Sequence, residues 1–228
     1  VFVCFEGIDG AGKSTQARLL QQRLAAEGYK VELVADPGTT KIGTAIRQIL
    51  LDNDGPITPA AQMLLFSAAR AELSAHIKQQ IKKKTIIVCD RWFLSTLVYQ
   101  GVMNDLPIDV LIDIFDMSDC IFPDICFLLD LDPRDAKKRT GKPRDRYERK
   151  CAADRRTMRA AYLEFVRDAD YAERTAIVPA EEKPDTVHNT IYDVVKSELR
   201  ERNLKPIARR DSANGRSKRA ARAVKART

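Results

Sequence analysis

The opening residues constrain this chain more than any others. Phe2 to Phe5 form a short apolar, β-rich run, and Gly7-Ile8-Asp9-Gly10-Ala11-Gly12-Lys13-Ser14 follows at once, matching Gly-x4-Gly-Lys-[Ser/Thr]. Apolar residues at helical spacing then run from Thr15 to Glu27, where Gly28 closes the segment. Strand, glycine turn and helix in that order place phosphate-binding machinery at the turn. Gly7, Gly10 and Gly12 let backbone N–H groups wrap a phosphate, and the helix start at Ser14 and Thr15 adds a positive field. Lys13 reaches the β/γ oxygens, and Ser14 is a ligand for Mg²⁺. A chance glycine-rich turn would not require the strand before it and the helix after it.

Short β-rich runs continue to alternate with longer helical segments. Strands are expected at Phe2–Phe5, Val31–Ala35, Thr85–Cys89, Ile125–Leu129 and Ala176–Val178. Helices are expected at Pro59–Lys83, from Ser95 onward, and at Ile108–Phe115, Arg134–Arg139, Cys151–Asp168 and Pro184 to about Arg202. The alternation predicts an α/β fold, a five-stranded parallel sheet flanked by helices. Thr140–Tyr147, with Gly, Pro and three basic residues, reads as a mobile charged loop within a folded unit of residues 1–204.

The net charge of +7 is concentrated at one end. From Lys205 onward there are nine basic residues against Asp211, a local +8, which leaves −1 for the rest. Residues 205–228 have almost no large apolar side chain and read as a flexible basic tail suited to weak polyanion binding. No stretch approaches the ~18 apolar residues of a membrane span. The five cysteines lack a C-x-x-C pair, and the expectation is free thiols in a cytoplasmic protein.

Thr85 to Cys89 is an apolar strand ending at Asp90 and Arg91. In a parallel sheet these project into the crevice that the glycine turn borders, Asp90 toward Mg²⁺ and Arg91 toward phosphate. On the helix from Pro59, Met63, Phe66, Leu73, Ile77 and Ile81 share a narrow stripe with Arg70 in its middle. Either a buried carboxylate pairs with Arg70, or the stripe borders a pocket where Phe66 stacks on a base and Arg70 donates to its carbonyl. Thr96, Tyr99 and Gln100 share a face beside the same crevice, with Ser95 as the expected N-cap of their helix.

Phe5-Glu6-Gly7 through Lys13-Ser14-Thr15-Gln16, Phe66-Ser67-Ala68-Ala69-Arg70, Asp90-Arg91-Trp92, Ser95-Thr96, Tyr99-Gln100-Gly101, Pro123-Asp124, Leu129-Asp130 and Asp145-Arg146-Tyr147-Glu148 occur in that order. Together they resemble the thymidylate kinase family of P-loop nucleoside monophosphate kinases, over roughly Phe2 to Lys196. The resemblance implies transfer of a phosphoryl group from ATP to dTMP, with Mg²⁺, and a homodimer. It implies Asp9 near the sugar 3′-hydroxyl, Phe66 and Arg70 on the thymine, Thr96 at the base edge, Tyr99 against the 2′ position and Arg139 along adenine. It also places Asp36, in Asp36-Pro37-Gly38-Thr39, beside the acceptor phosphate. That loop commonly reads Arg-Glu-Pro-Gly-Gly, so Ala35, Asp36 and Thr39 depart from it, as does Trp92 where Tyr, Phe or His is usual. Some members carry an Arg at the position of Gly10. Its absence turns attention to Arg144 and Arg146 of the lid as catalytic partners of Lys13, Arg91 and Asp9. The readings kept beside this one are a P-loop kinase of another deoxynucleotide, a deoxynucleoside kinase using Glu6 or Asp36 as a base, and a nucleic-acid-binding P-loop ATPase.

Overall fold

The computed structural model describes residues 1–52, 55–141, 146–167 and 169–206, without the side chains of 52, 146–152 and 169–170. Its sheet consists of β1 (Phe2–Glu6), β2 (Val31–Ala35), β3 (Ile86–Asp90), β4 (Ile125–Asp130) and β5 (Thr175–Pro179). All neighbours are parallel, in the order β2-β3-β1-β4-β5. All of β1 and nearly all of β3 and β4 are buried, which explains why their sequences are continuous apolar runs rather than alternating ones. Helices cover both faces. The segments α1 (Lys13–Ala26), α3 (Pro59–Lys82), α5 (Ile108–Met117) and α9 (Pro184–Glu201) follow the expected pattern, and α6 (Pro133–Arg139) is one residue longer.

Four departures from the sequence reading have local causes. A helix at Lys41–Asp52, α2, was not expected after the Pro-Gly loop. Its Ile46 and Leu50 pack with Ala69 of α3 to form a small core of their own. The helix expected from Ser95 begins at Phe93 (α4, Phe93–Thr96) and widens into a π-helical turn at Leu97–Val102, where the Met103 N–H donates to the Val98 carbonyl at 2.9 Å. Helix α7 (Arg146–Phe165) starts inside the segment read as a loop and bends at Asp154. A short helix α8 (Ala169–Ala172) precedes β5. Residues 142–145 of the expected lid, and the expected tail beyond Pro206, lie outside the described residues.

Cys4 pairs in register with Cys89 on one side and Cys126 on the other, a row of thiols across three strands. All three are free and buried. Burial pushes the Cys4 and Cys89 thiols well up, so they behave as small core side chains.

Ser95 does not cap its helix. That role falls to Glu6, fully buried at the end of β1. Its Oε1 accepts the N–H groups of Trp92 (2.8 Å) and Ser95 (3.1 Å), and its Oε2 accepts the Ser95 hydroxyl at 2.6 Å. The Tyr162 hydroxyl of α7 lies 3.4 Å from the same Oε2. Glu6→Ala strips these donors of their acceptor in a dry site and is expected to cost about 3 kcal/mol. Urea titration should show the midpoint falling with an unchanged slope.

Candidate active site

The carboxyl ends of β1, β2 and β3 open into one cleft of about 1360 Å³. At the end of β1, Gly7, Gly10 and Gly12 all take positive φ. A Cβ on Gly7 would lie 2.6 Å from the Leu129 carbonyl oxygen, and one on Gly10 would lie 2.7 Å from that of Ala136 in α6. The turn is therefore packed too closely against β4 and α6 for side chains at these positions. The missing P-loop arginine has the same cause, because α6 occupies the space it would need.

Lys13 is buried and donates to the Gly7 and Ile8 carbonyls, both at 2.9 Å, and its Nζ is 3.8 Å from Asp9. Burial, reinforced by the nearby Arg91 charge, pushes its pKa down to about 8. The Ser14 hydroxyl donates to the Asp90 carboxylate, bringing two oxygens for a hard cation together at the helix start. Among the described residues no cluster of three or more acidic, His or Cys side chains forms a metal cage.

Arg91 stands between the two halves of the cleft. Its backbone is left-handed (φ 72°), an uncommon state for a residue with a side chain. The side chain binds the Asp9 carboxylate, donates to the Gly7 carbonyl (3.3 Å) and Ser95 hydroxyl (3.2 Å), and lies over the Tyr99 ring at 5.2 Å. Burial works against the Asp9 charge, but Arg91, then Lys13 and Arg155, outweigh it and hold the carboxyl below the usual range.

On the far side, Arg70 is 3% exposed and pairs with Asp36 at the end of β2. The buried carboxylate is present, and the stripe also borders a cleft, since Phe66, Arg70 and Asp36 line it while Leu73 and Ile77 lie in the core. Thr96, Tyr99 and Gln100 line the same half. Gln100 is buried with its Nε2 unpartnered among the described residues. Arg139 lines the opposite half and is pinned to the Ala180 (2.8 Å) and Glu181 (3.1 Å) carbonyls. Arg144 and the Arg146 side chain lie outside the described residues.

Several residues of this neighbourhood were not singled out from the sequence. Arg47 of α2 lines the cleft and donates to the Pro37 carbonyl at 3.1 Å; the i, i+4 spacing of Ile42, Ile46 and Leu50 was the available signal for its helix. Tyr162 joins the Glu6 cluster, and Arg155 donates to the Thr140 hydroxyl at 2.8 Å. Both come from distant α7, and no local pattern marks them.

A P-loop, a hydroxyl–carboxylate pair at its helix start and, in the same cleft, a planar cation beside aromatic rings mark a P-loop phosphotransferase. The family model described as thymidylate kinase matches residues 5–191. A thymidylate kinase of Thermoanaerobacter sp. strain X514 is 36% identical over 203 residues, 87% of this chain and 98% of the relative. That of Symbiobacterium thermophilum is 38% identical over 204 residues, covering 87% and 94%. That of Pelodictyon phaeoclathratiforme is 40% identical over 178 residues, covering 72% and 82%. The chain belongs to the thymidylate kinase family.

The lowered Lys13 pKa has a sign that can be checked. Between pH 8 and the 10.5 of an ordinary lysine, the folded chain holds fewer protons here than the unfolded one. Stability of the unliganded protein therefore rises with pH across that window, and this contribution is lost as pH falls through 8. Triphosphate binding favours the ammonium form. At pH 8, ATP is expected to bring in about half a proton at this site, the half-titration point of linkage. Calorimetry in two buffers of different ionisation enthalpy should detect the uptake, and Lys13→Met should abolish it.

Proposed function

We propose that the P-loop half of the cleft holds ATP, that the Phe66/Arg70 half holds dTMP, and that Arg91 spans the two phosphates. The reaction is ATP plus dTMP giving ADP plus dTDP. The observation that carries this division is the placing of Arg70, which lines the same cleft as the P-loop. On the acceptor side, Phe66 stacks on the base, Thr96 and Gln100 read its edge, and Tyr99 crowds the sugar beside Asp9. Arg47 and the loop from Asp36 flank the acceptor phosphate. On the donor side, Gly7, Gly10, Gly12, Lys13 and Thr15 hold the phosphates, and Arg139 lies along adenine.

Ser14 and Asp90 are the residues that would hold Mg²⁺, directly or through water, and the ion would supply positive charge to the donor phosphates. The acceptor oxygen of a nucleoside monophosphate is already ionised at neutral pH, so no general base is required. The geometry supports that choice of substrate. Both Glu6 oxygens are taken by the α4 cap, and Asp36 holds Arg70 through Oδ2 while its Oδ1 is buried, which leaves neither exposed to deprotonate a nucleoside hydroxyl. Catalysis is then alignment and charge neutralisation by Lys13 and Arg91, joined by Arg144 or Arg146 from the lid.

No helix of the described residues is long and apolar enough to cross a membrane, and cytoplasmic action on soluble nucleotides is part of this proposal. So is a homodimer. Ile42 and Ile49 on α2 and Leu64 on α3, exposed by 50%, 49% and 57%, support it by leaving apolar surface on two helices packed together. The tail from Lys205 is assigned to weak polyanion binding, outside the kinase unit of residues 1–204.

A coupled ADP-release assay across the nucleoside monophosphates tests the reaction. Turnover should be highest with dTMP and need no nucleic acid. A requirement for DNA would favour the ATPase reading instead. Lys13→Ala is expected to lower kcat by ~10³, and Phe66→Ala to raise KM for dTMP far more than for ATP. Arg144→Ala and Arg146→Ala, made separately, should include at least one variant with kcat reduced by tenfold or more. If both stay within about threefold of the parent, near 0.7 kcal/mol, the lid only shields the site.

A further inference from the structure

Asp36 is expected from family resemblance to lie beside the acceptor phosphate, but its carboxylate is turned toward the base-reading side. A single oxygen, Oδ2, accepts two bonds from Arg70, from Nε at 2.7 Å and from Nη2 at 2.6 Å. Those two groups form one edge of the guanidinium plane. The other edge, made by Nη1 and the second Nη2 hydrogen, is left for the cleft. The plane is held from behind as well, with its centre 5.6 Å from the Trp92 ring and 5.8 Å from the Phe93 ring. Trp92 is itself fixed by a 2.9 Å bond from its Nε1 to the Ile121 carbonyl.

We infer that Asp36 is a positioning residue that locks Arg70 with two donors facing the acceptor base, and that this lock selects a pyrimidine carrying a 4-oxo group over one carrying a 4-amino group. The inference rests on the assignment of dTMP to this half of the cleft. A carbonyl oxygen accepts from the presented edge. An amino group brings a donor against donors, and the presented edge of the arginine is then left without an acceptor, which is the kind of mismatch a site rejects strongly. An arginine without its carboxylate would sample other rotamers and present that edge only part of the time.

The second Asp36 oxygen, Oδ1, is buried and unpartnered among the described residues. Asp36→Asn is therefore nearly isosteric and removes the charge without disturbing another hydrogen bond. The test measures kcat and KM for dTMP, dUMP and dCMP, with KM for ATP, in Asp36→Asn, Arg70→Met and the double variant. In Asp36→Asn, KM for dTMP and dUMP should rise about tenfold, with kcat and the ATP KM moving less than threefold. The preference for dTMP over dCMP should shrink about tenfold. The double variant should be no worse than Arg70→Met alone. Additive losses, or an Asp36→Asn effect on kcat rather than KM, would place Asp36 at the phosphate and overturn the inference.

If Asp36→Asn does not fold, Arg70→Lys carries the test, since it keeps the ion pair and loses the forked edge. Retained discrimination against dCMP in that variant would also overturn the inference. Failure of the wild-type protein to phosphorylate dTMP would instead overturn the assignment of the reaction.

Discussion

Much of this molecule hangs on the burial of one carboxylate. Glu6 ends the central strand with no exposure to solvent, where an unpaired charge would be costly. Its burial is tolerated because two main-chain N–H groups and a hydroxyl converge on it from the start of α4. Burial raises its pKa, while the Ser95 hydroxyl and the Arg91 charge pull the other way. The consequence is geometric. The residues after β3 are fixed to the strand that carries the P-loop, so Arg91, Thr96 and Tyr99 stand at set distances from Lys13 rather than on an independent loop.

The same device recurs along the sheet. Asp36, Asp90 and Asp130 follow or end β2, β3 and β4, and each has a partner drawn from a helix. Asp36 holds Arg70, Asp90 accepts from Ser14, and Asp130 takes a two-bond contact from Arg159 at 2.6 and 2.8 Å. Paired charges in such places contribute little net stability, because desolvation offsets most of the attraction. What they contribute is orientation. A phosphoryl-transfer site functions by presenting fixed charges to a transition state that spreads negative charge over several oxygens, and charges already aligned need no reorganisation when the ligands arrive.

The legible and illegible parts of the sequence divide along the same physical line. The sheet was legible because parallel strands buried on both faces must be short apolar runs, and α1 and α3 because they are long with clear stops. The P-loop was legible because its glycines are required locally: a Cβ on Gly7 or Gly10 would meet a carbonyl oxygen at 2.6–2.7 Å, and Gly12 takes a φ of 97°. Arg70 was conspicuous as a charge on an apolar stripe, yet its partner lay 34 positions away and no local pattern named it. Glu6 as a cap, Tyr162 and Arg155 were hidden for the same reason. Helix α2 was lost to the adjoining Pro-Gly turn, although Ile42, Ile46 and Leu50 stood at helical spacing. The π-helical turn at Leu97–Val102 leaves no signature in apolar periodicity, because one residue of widening is within the tolerance of the pattern.

The glycine at position 10 shows how packing far from the chemistry decides where charge at the donor phosphates must originate. With φ at 92° and the Ala136 carbonyl where a Cβ would go, the position admits no arginine unless α6 moves. Helix α6 is tied at its end, where Arg139 is bonded to the carbonyls of Ala180 and Glu181 beyond β5. Thr140, which follows it, leans on Gly10 and receives a bond from Arg155 of α7. Packing of the P-loop against α6 thus excludes a cation at position 10, while the Arg155 charge is felt by Asp9 alongside those of Arg91 and Lys13. The positive field over the P-loop is in this way assembled from three separate elements, α1, the residue after β3, and α7, and it depends on their packing rather than on any contiguous motif.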